Sequence, residues 1–570
     1  MTTYRPTITG QKHMISAGHY SATHAGFQIL EAGGNAIDAG VAAGMALGIL
    51  QTDRVNFAGV APIMIYLADK REIVNIDGLG TWPKAASLDY FIKEYGGKMP
   101  PGILRTVMPA APASWIMALE RYGTMSFGEV AREATRLARE GFAMHGFMQE
   151  YIADHVESYR RWPSSAEVFL PKGRPPNVGE RFVQSELAAS LQYMADEEAA
   201  HKSKGRVAGL KAARDAFYKG DIAKKIAQYH KDNGGWVTAD DLAAYEVSFE
   251  KPVSTHFHGV DVYACGPWTQ GPVLPQTLNL LSGYDLKAMG HNSAAYVHTL
   301  TEALKLSFAD RHRYYGDPKF VKVPLDVLLS QEYAAERRKL IRADAASPGM
   351  PNAGDIAGFP PAIPLPSVTP GDPNPPPDTS YVSVVDRHGN AFSATPSDGS
   401  SATPVIPGTG FCPSSRGSQS WTHPQHPAAL APGKRPRLTP NPAMALKDGK
   451  LLMPFGSPGN DIQPQAMTQV FLNIMVFGME PQAAVEAPRF ATYSYPSSSA
   501  PHAYHPGRLN LEARFDKGVT DQLAKLGHHV ASWPAVEWRA GAVCAVRVNE
   551  ANGLLEGAAD PRRPCYALGI

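Results

Sequence analysis

The 570-residue chain is short of the features that mark several large protein classes. It has only four cysteines, Cys265, Cys412, Cys544 and Cys565, far apart and with no CxxC pair. That spacing argues against zinc-ribbon and dithiol redox motifs, and a disulfide framework is not expected in a chain this large. No apolar run approaches the 18 or so residues of a membrane-spanning helix. The start, Met1-Thr2-Thr3-Tyr4-Arg5-Pro6, lacks the apolar core of a secretory leader, so a cytoplasmic location is expected. Charge of one sign is missing too: the formal net charge is +1, which leaves no reason to expect a nucleic-acid or acidic-lipid partner. There is no G-x-G-x-x-G or Walker spacing, and the histidines fall in no H-E-x-x-H or other zinc pattern. No metal or organic cofactor is therefore implied. What remains, 44% hydrophobic and 19% charged residues, is the composition of a globular chain able to bury a large core.

Local patterning supplies the elements. Gly33-Gly34 ends one helical stretch and Asn35 is placed to cap the next, which runs to Leu50. Strands are expected at Ile63–Leu67 and Ile73–Asp77, a helix at 127–140, and mostly helix from Phe142 to Arg161. Thr238 is placed to cap a helix with acids in its first turn. A strand at 260–264, helices at 273–281 and 294–315, and a strand at 450–454 follow. Between Ser347 and Asp378 proline is dense and periodicity is lost, which reads as an extended, mobile linker.

That linker stops at Asp378-Thr379-Ser380-Tyr381. The β-branched Val382–Val385, a turn at Asp386–Asn390 and a second strand from Ala391 to Thr395 complete a hairpin. A threonine at the mouth of a strand is ordinarily a strand former. Were the bond before it cut, Thr379 would carry a free α-amino group, with an ordinary pKa of about 7.7–8.0, beside its own hydroxyl. Threonine with its own terminal amine is a recognised activated nucleophile. Downstream, Gly456-Ser457-Pro458-Gly459-Asn460-Asp461 between a strand and a helix reads on its own first as an ordinary strand-to-helix turn, and second as a candidate source of oxyanion-binding N–H groups.

Asp378-Thr379-Ser380-Tyr381 with Ser383-Val384-Val385-Asp386 and Gly389-Asn390-Ala391 resembles the maturation site of the γ-glutamyltransferase family. Similarity runs from Gly18-His19-Tyr20 to Asp560-Pro561-Arg562-Arg563. The resemblance implies an α+β, αββα four-layer N-terminal-nucleophile hydrolase fold. It also implies a proenzyme that cuts itself between Asp378 and Thr379 into a large piece, 1–378, and a small piece, 379–570, forming one catalytic unit. The expected partners are a small-molecule amide and the two pieces of one precursor, with a homo-oligomer of that pair left open and with no nucleic acid or membrane.

By the same resemblance, Thr379 is the nucleophile, Ser397 stands where relatives place a threonine bonded to it, and Gly459 and Asn460 stand where two glycine amides bind the oxyanion. The substrate-binding positions depart from the family. Leu79 falls where transferases carry an arginine for the α-carboxylate, and a leucine cannot make that bidentate pair. Gln419 falls at the acid for the α-amino group. Leu438 and Thr439 replace a serine pair, and Gly399 replaces an asparagine. Arg416 and Arg437 are candidates for a replacement carboxylate anchor. Family position favours γ-glutamyl amides such as glutathione, by hydrolysis, transfer or both. The departures favour a different small amide, as in oxamate amidohydrolase. An uncleaved, non-catalytic relative is the third reading, and retention of Asp378-Thr379 argues against it.

Overall fold

The computed structural model describes residues 3–373 and 379–570; Asp378, the residue expected before the cut, lies outside the described residues. Its centre is two seven-stranded sheets. In the first, Val382–Val385 pairs antiparallel with Met14–Ala17 on one side and Ala391–Ala394 on the other. Ile63–Leu67, Glu72–Ile76 and Phe249–Glu250 extend it one way, and Tyr566–Gly569 closes it beyond Met14–Ala17. The second sheet joins Ile8–Gly10, Val253–Phe257 and Val260–Ala264 to Ala443–Lys447, Lys450–Gly456, Cys544–Val548 and Leu555–Ala559. Both sheets therefore combine segments from before and after Thr379.

Strand periodicity builds the layers. Along the central strand, Val382 and Val384 point into a core shared with the helices Tyr20–Glu31 and Ala36–Leu50. Val385 points the other way and packs with Met14, Met64, Met444 and Val546 between the two sheets. On the outer face of the second sheet, Val273–Leu281, Ala294–Tyr314 and Gln463–Met475 bury Leu278, Leu300 and Phe471. Helix, sheet, sheet, helix is the expected four-layer order.

Most expected elements form within a residue or two of their expected bounds. Asn35 caps its helix in a reciprocal box with Asp38, and Thr238 does the same with Asp241. Two regions add detail to the expectation. From 142 to 161 the chain is mostly helical, as Gly146–Asp154 and Val156–Arg160, but it opens on a short strand. Gly141, at φ +80°, ends the preceding helix and Phe142–Ala143 pairs with Arg181–Phe182. His145 then caps a new helix, Gly146–Asp154. The proline-rich stretch is extended as expected but fastened to the body. Met350 N–H donates to the Tyr504 hydroxyl (2.9 Å), Thr369 N–H to the Tyr504 carbonyl (2.8 Å), and Gly354 N–H to Asp310 (2.8 Å). Proline removes ladder donors, so this segment is held by side chains instead of by a sheet.

Candidate active site

Thr379 lies three residues before the central strand. Ser380 N–H donates to the Pro396 carbonyl (3.0 Å), and Ser397 exchanges backbone bonds with Val60 (2.9 and 3.0 Å). These pairings bring the Thr379 Oγ1 to 2.8 Å from Ser397 Oγ. Glycine is required at two approaches. A β-carbon at Gly59 would stand 2.1 Å from the Ser397 carbonyl oxygen, and one at Gly18 would stand 1.9 Å from Ser380 Oγ. In the single chain both hydroxyl residues are buried, Thr379 at 1% and Ser397 at 0% exposure.

Arg416 begins a short 3₁₀ turn, Arg416–Gln419, and donates through its guanidinium to Ser397 Oγ. With Ser397 oxygen receiving that bond, its own O–H can be directed to Thr379 Oγ1. Asp398 holds the arrangement from behind. Its carboxylate accepts from Ser414 Oγ (2.6 Å), Ser415 N–H (3.1 Å) and Ser415 Oγ (2.5 Å), and lies 3.7 Å from Arg416 Nε. Asp398 carries the unusual φ of +148°. On the other side of Thr379, Arg563 donates to the Thr379 carbonyl (3.3 Å) and to the Trp538 carbonyl (3.2 Å).

The Gly-Ser-Pro-Gly-Asn turn follows the strand that ends at Gly456, which lies against the ring of Tyr381 two residues beyond Thr379. Gly459 (φ +122°) and Asn460 (φ +50°) both adopt left-handed backbone, a conformation asparagine tolerates better than most residues. The pair lines a cavity of about 40 Å³ with Tyr493, Tyr495 and Pro373. Gln270 ties this turn to the segment before the strand Ala443–Lys447 by donating to the carbonyls of Asn460 (2.7 Å) and Thr439 (3.0 Å). Arg311 in turn bonds Gln270 Oε1 (2.9 Å) and the Asp461 carboxylate. Burial pushes the Asp461 carboxyl up, but Arg311 and two bonds from Ser498 outweigh it, so it titrates below the ordinary range.

The predicted substrate positions fall into two groups. Gln419 and Thr439 are locked together: the Gln419 amide donates to Thr439 Oγ1 (2.8 Å) and receives Thr439 N–H (3.1 Å). Leu79 and Leu438 belong to one buried apolar cluster with Val60, Cys265 and Trp268. The two candidate anchors separate. Arg416 is at Thr379 and Ser397, whereas Arg437 is buried, donates to the Arg311 carbonyl (3.2 Å) and Ser498 Oγ (3.4 Å), and has its pKa lowered to about 9 by burial and by neighbouring Arg311.

Asp398, Gln270 and Arg311 were not picked out by sequence reasoning as site residues, and their contacts arise from long-range packing. Arg563 belongs to the Asp560-Pro561-Arg562-Arg563 motif, whose preservation was the available signal. Among the described residues one His/Glu group, His298, Glu302 and His528, is close enough to share an ion. Its atoms already serve one another: His298 Nδ1 meets His528 Nε2 at 2.9 Å, and Glu302 bonds Lys305 (2.7 Å) and Ser347 N–H (3.0 Å).

Two facing antiparallel sheets between helical layers, with a hydroxyl residue at the mouth of a central strand, are the architecture of the N-terminal-nucleophile hydrolases. Comparison with known proteins narrows the class. Residues 22–570 match the family model described as Gamma-glutamyltranspeptidase. The chain is 34% identical to the Acylase ACY 1 proenzyme of Pseudomonas sp. (strain SE83), over 98% of this chain and 93% of that protein. It is 32% identical to the Glutathione hydrolase-like YwrD proenzyme of Bacillus subtilis (strain 168), over 99% of both chains. The crystal structure of cephalosporin acylase from Bacillus halodurans superposes with a TM-score of 0.87 at 27% identity, covering 100% of this chain and 98% of that one. The chain belongs to the gamma-glutamyltranspeptidase family, and it is an amidohydrolase of the N-terminal-nucleophile type.

Proposed function

We propose that Thr379 is the nucleophile of a self-cleaving amidohydrolase whose acyl group is a small one other than γ-glutamyl. Cleavage between Asp378 and Thr379 would give pieces 1–378 and 379–570 and free the Thr379 α-amino group. Thr379 Oγ1 then attacks the amide carbonyl while that amine takes the hydroxyl proton. Negative charge on the carbonyl oxygen is met by backbone N–H groups of Gly459 and Asn460. The C–N bond breaks, the amine returns the proton to the leaving nitrogen, and an ester remains on Thr379. Water attacks the ester with the amine again as base, releasing the carboxylic acid and restoring the hydroxyl. An acceptor amine in place of water would make the reaction a transfer.

The apolar cluster that holds Leu79 and Leu438 carries the choice of acyl group. A γ-glutamyl head brings a carboxylate and an ammonium into the site, and each needs a charged or multiply bonding partner when desolvated. Where relatives offer arginine and serine, this chain has two buried leucines of one apolar cluster. The Gln419 amide, at the position of the acid, is occupied with Thr439. Family membership and the name of the YwrD relative support the competing γ-glutamyl reading. The acylase name of the Pseudomonas relative favours a different acyl group.

Intact mass of the purified protein and of Thr379→Ala tests the nucleophile. Two pieces meeting at 378/379, with a single inactive chain for Thr379→Ala, are expected; a cut elsewhere, or an active Thr379→Ala, would refute it. Turnover of γ-glutamyl-p-nitroanilide beside acetyl, oxamyl and glutaryl p-nitroanilides tests the acyl group. Fastest turnover of the γ-glutamyl compound would overturn that half alone.

A further inference from the structure

The chain from Ala346 to Pro373 precedes the cut proposed at 378/379, yet much of what holds it comes from after that cut. Ala346 N–H donates to the Leu526 carbonyl (2.7 Å), and Met350 N–H to the Tyr504 hydroxyl (2.9 Å). A β-carbon on Gly349 would stand 2.5 Å from that hydroxyl, so the stretch lies flush against Tyr504. Further along, Thr369 and Tyr504 exchange bonds. Thr369 N–H donates to the Tyr504 carbonyl (2.8 Å), and Tyr504 N–H donates to Thr369 Oγ1 (3.0 Å). Asp372 meets Arg508 at 2.6 Å, an exposed pair that adds direction more than strength.

Between these points the stretch is anchored to its own side of the cut. Gly354 N–H donates to Asp310 (2.8 Å), Arg337 to the Asn352 carbonyl (2.6 Å), and Arg313 to the Pro360 carbonyl (3.0 Å). Met350, Ile356 and Phe359 pack against the core of Leu278, Leu300 and Phe471. Thr369 is thus nine residues from a fixed point at Pro360, whatever happens at 378. A tether of that length keeps the local concentration on the order of millimolar, so modest pairings at 369 and 372 reform each time they open.

Pro373 then walls the cavity of about 40 Å³ beside Gly459 and Asn460, and every other described residue around that cavity follows the cut. Tyr493, Tyr495, Ile462 and Ala503 make the facing wall largely apolar. In self-cleavage Thr379 Oγ1 attacks the carbonyl of residue 378, the bond to the Thr379 nitrogen breaks, and that nitrogen takes the hydroxyl proton. Until water releases it, the chain ending at 378 is the acyl group on Thr379. Pro373 stands five residues before that end, so the cavity it walls belongs to the acyl side. A space of this size holds about three or four water-sized groups.

We propose that the stretch stays on Tyr504 and Arg508 after the cut, and that Pro373 is the wall that limits the acyl group to about four carbons. This rests on Thr379 being the nucleophile and names the size of acyl group that its site accepts.

The test uses protein shown by mass to be two pieces meeting at 378/379. Hydrogen exchange at the Thr369 and Tyr504 amides should be at least about tenfold slower than open-chain rates. Thr369→Pro removes both bonds and should release the Tyr504 amide. In the parent, kcat/KM should fall about tenfold or more from butyryl to hexanoyl p-nitroanilide. Pro373→Gly and Thr369→Pro should each raise the hexanoyl-to-butyryl ratio about tenfold. Open-chain exchange at both amides of the two-piece parent would overturn the proposal, and so would a parent ratio in either variant. Should Pro373→Gly fail to cut itself, Thr369→Pro and the exchange rates decide. A protein not cut at 378/379 would overturn the nucleophile reading and this proposal together; a two-piece protein with an unchanged ratio would overturn this proposal alone.

Discussion

Leu79→Arg restores the residue type that the family resemblance assigns to carboxylate recognition, and this structure gives that arginine nowhere to go. Leu79 is 1% exposed and belongs to the apolar cluster of Val60, Cys265, Trp268 and Leu438. Trp268 carries another cation, Arg435, 5.3 Å from its ring. Asp77, the carboxylate nearest in sequence, is already bonded to Arg435 (3.0 Å) and Ser248 (2.9 Å). An uncompensated buried charge costs about 3–5 kcal/mol. Unfolding entropy of roughly 2.1 cal/mol/K per residue makes about 1.2 kcal/mol/K for a chain of this length, if it melts as one unit. The thermal midpoint should therefore fall by about 3–4 °C, and γ-glutamyl turnover should not rise. Leu79→Met, which conserves volume, should cost under about 1.5 kcal/mol and shift the midpoint by roughly 1 °C. Adding Leu438→Ser should make the combined loss differ from the sum of the two, because the side chains share one apolar cluster. Differential scanning calorimetry and a γ-glutamyl-p-nitroanilide assay read both quantities. An unchanged midpoint accompanied by a gain of γ-glutamyl turnover would show that the apolar cluster does not exclude the glutamate head.

Other perturbations test other parts of the frame. Arg416→Met removes the donor that directs Ser397; kcat on the best amide should drop by about 10²-fold with little change in KM, and parent kcat would refute the orienting role. Asp560→Ala leaves Arg489 and Arg562 facing each other without the carboxylate that bonds them at 2.7 and 3.0 Å. It should cost about 3–5 kcal/mol, seen as a loss of soluble protein or of midpoint. His19, His230 and His312 are each lowered from 6.5 to about 3, with burial as the main cause. Between those values the unfolded chain binds protons that the folded chain refuses, so the stability present above pH 6.5 is lost as pH falls toward 3. By pH 5.5 each should cost on the order of 1 kcal/mol, and a midpoint equal at pH 7.5 and 5.5 would contradict it.

Much of this was legible because local signals and the global fold agree. The caps at Asn35 and Thr238 and the strand at 382–385 need only neighbouring residues, and they formed as read. Thr379 and Ser397 could be singled out from motif order alone, and their hydroxyls lie 2.8 Å apart. The fate of 347–373 could not, since proline density reports missing ladder donors and not the side chains, Tyr504 and Asp310 among them, that tie the stretch down. Nor could the shared cluster of Leu79 and Leu438, which lie 359 positions apart and read separately as two losses. Asp398 was hidden for the same reason: its value comes from Ser414, Ser415 and Arg416 closing on it.

Chain ends usually fray, and a reactive group placed on one would sample many positions. The strand Val382–Val385 changes that for an end created at Thr379. It begins three residues later and is bonded along both edges, while Ser380 N–H and the Thr379 carbonyl are held by Pro396 and Arg563. A terminus made there starts inside a completed sheet, so its amine would have the positional certainty of an interior side chain. Cutting a finished fold, instead of assembling two pieces, is how a polypeptide obtains a terminus that does not wander.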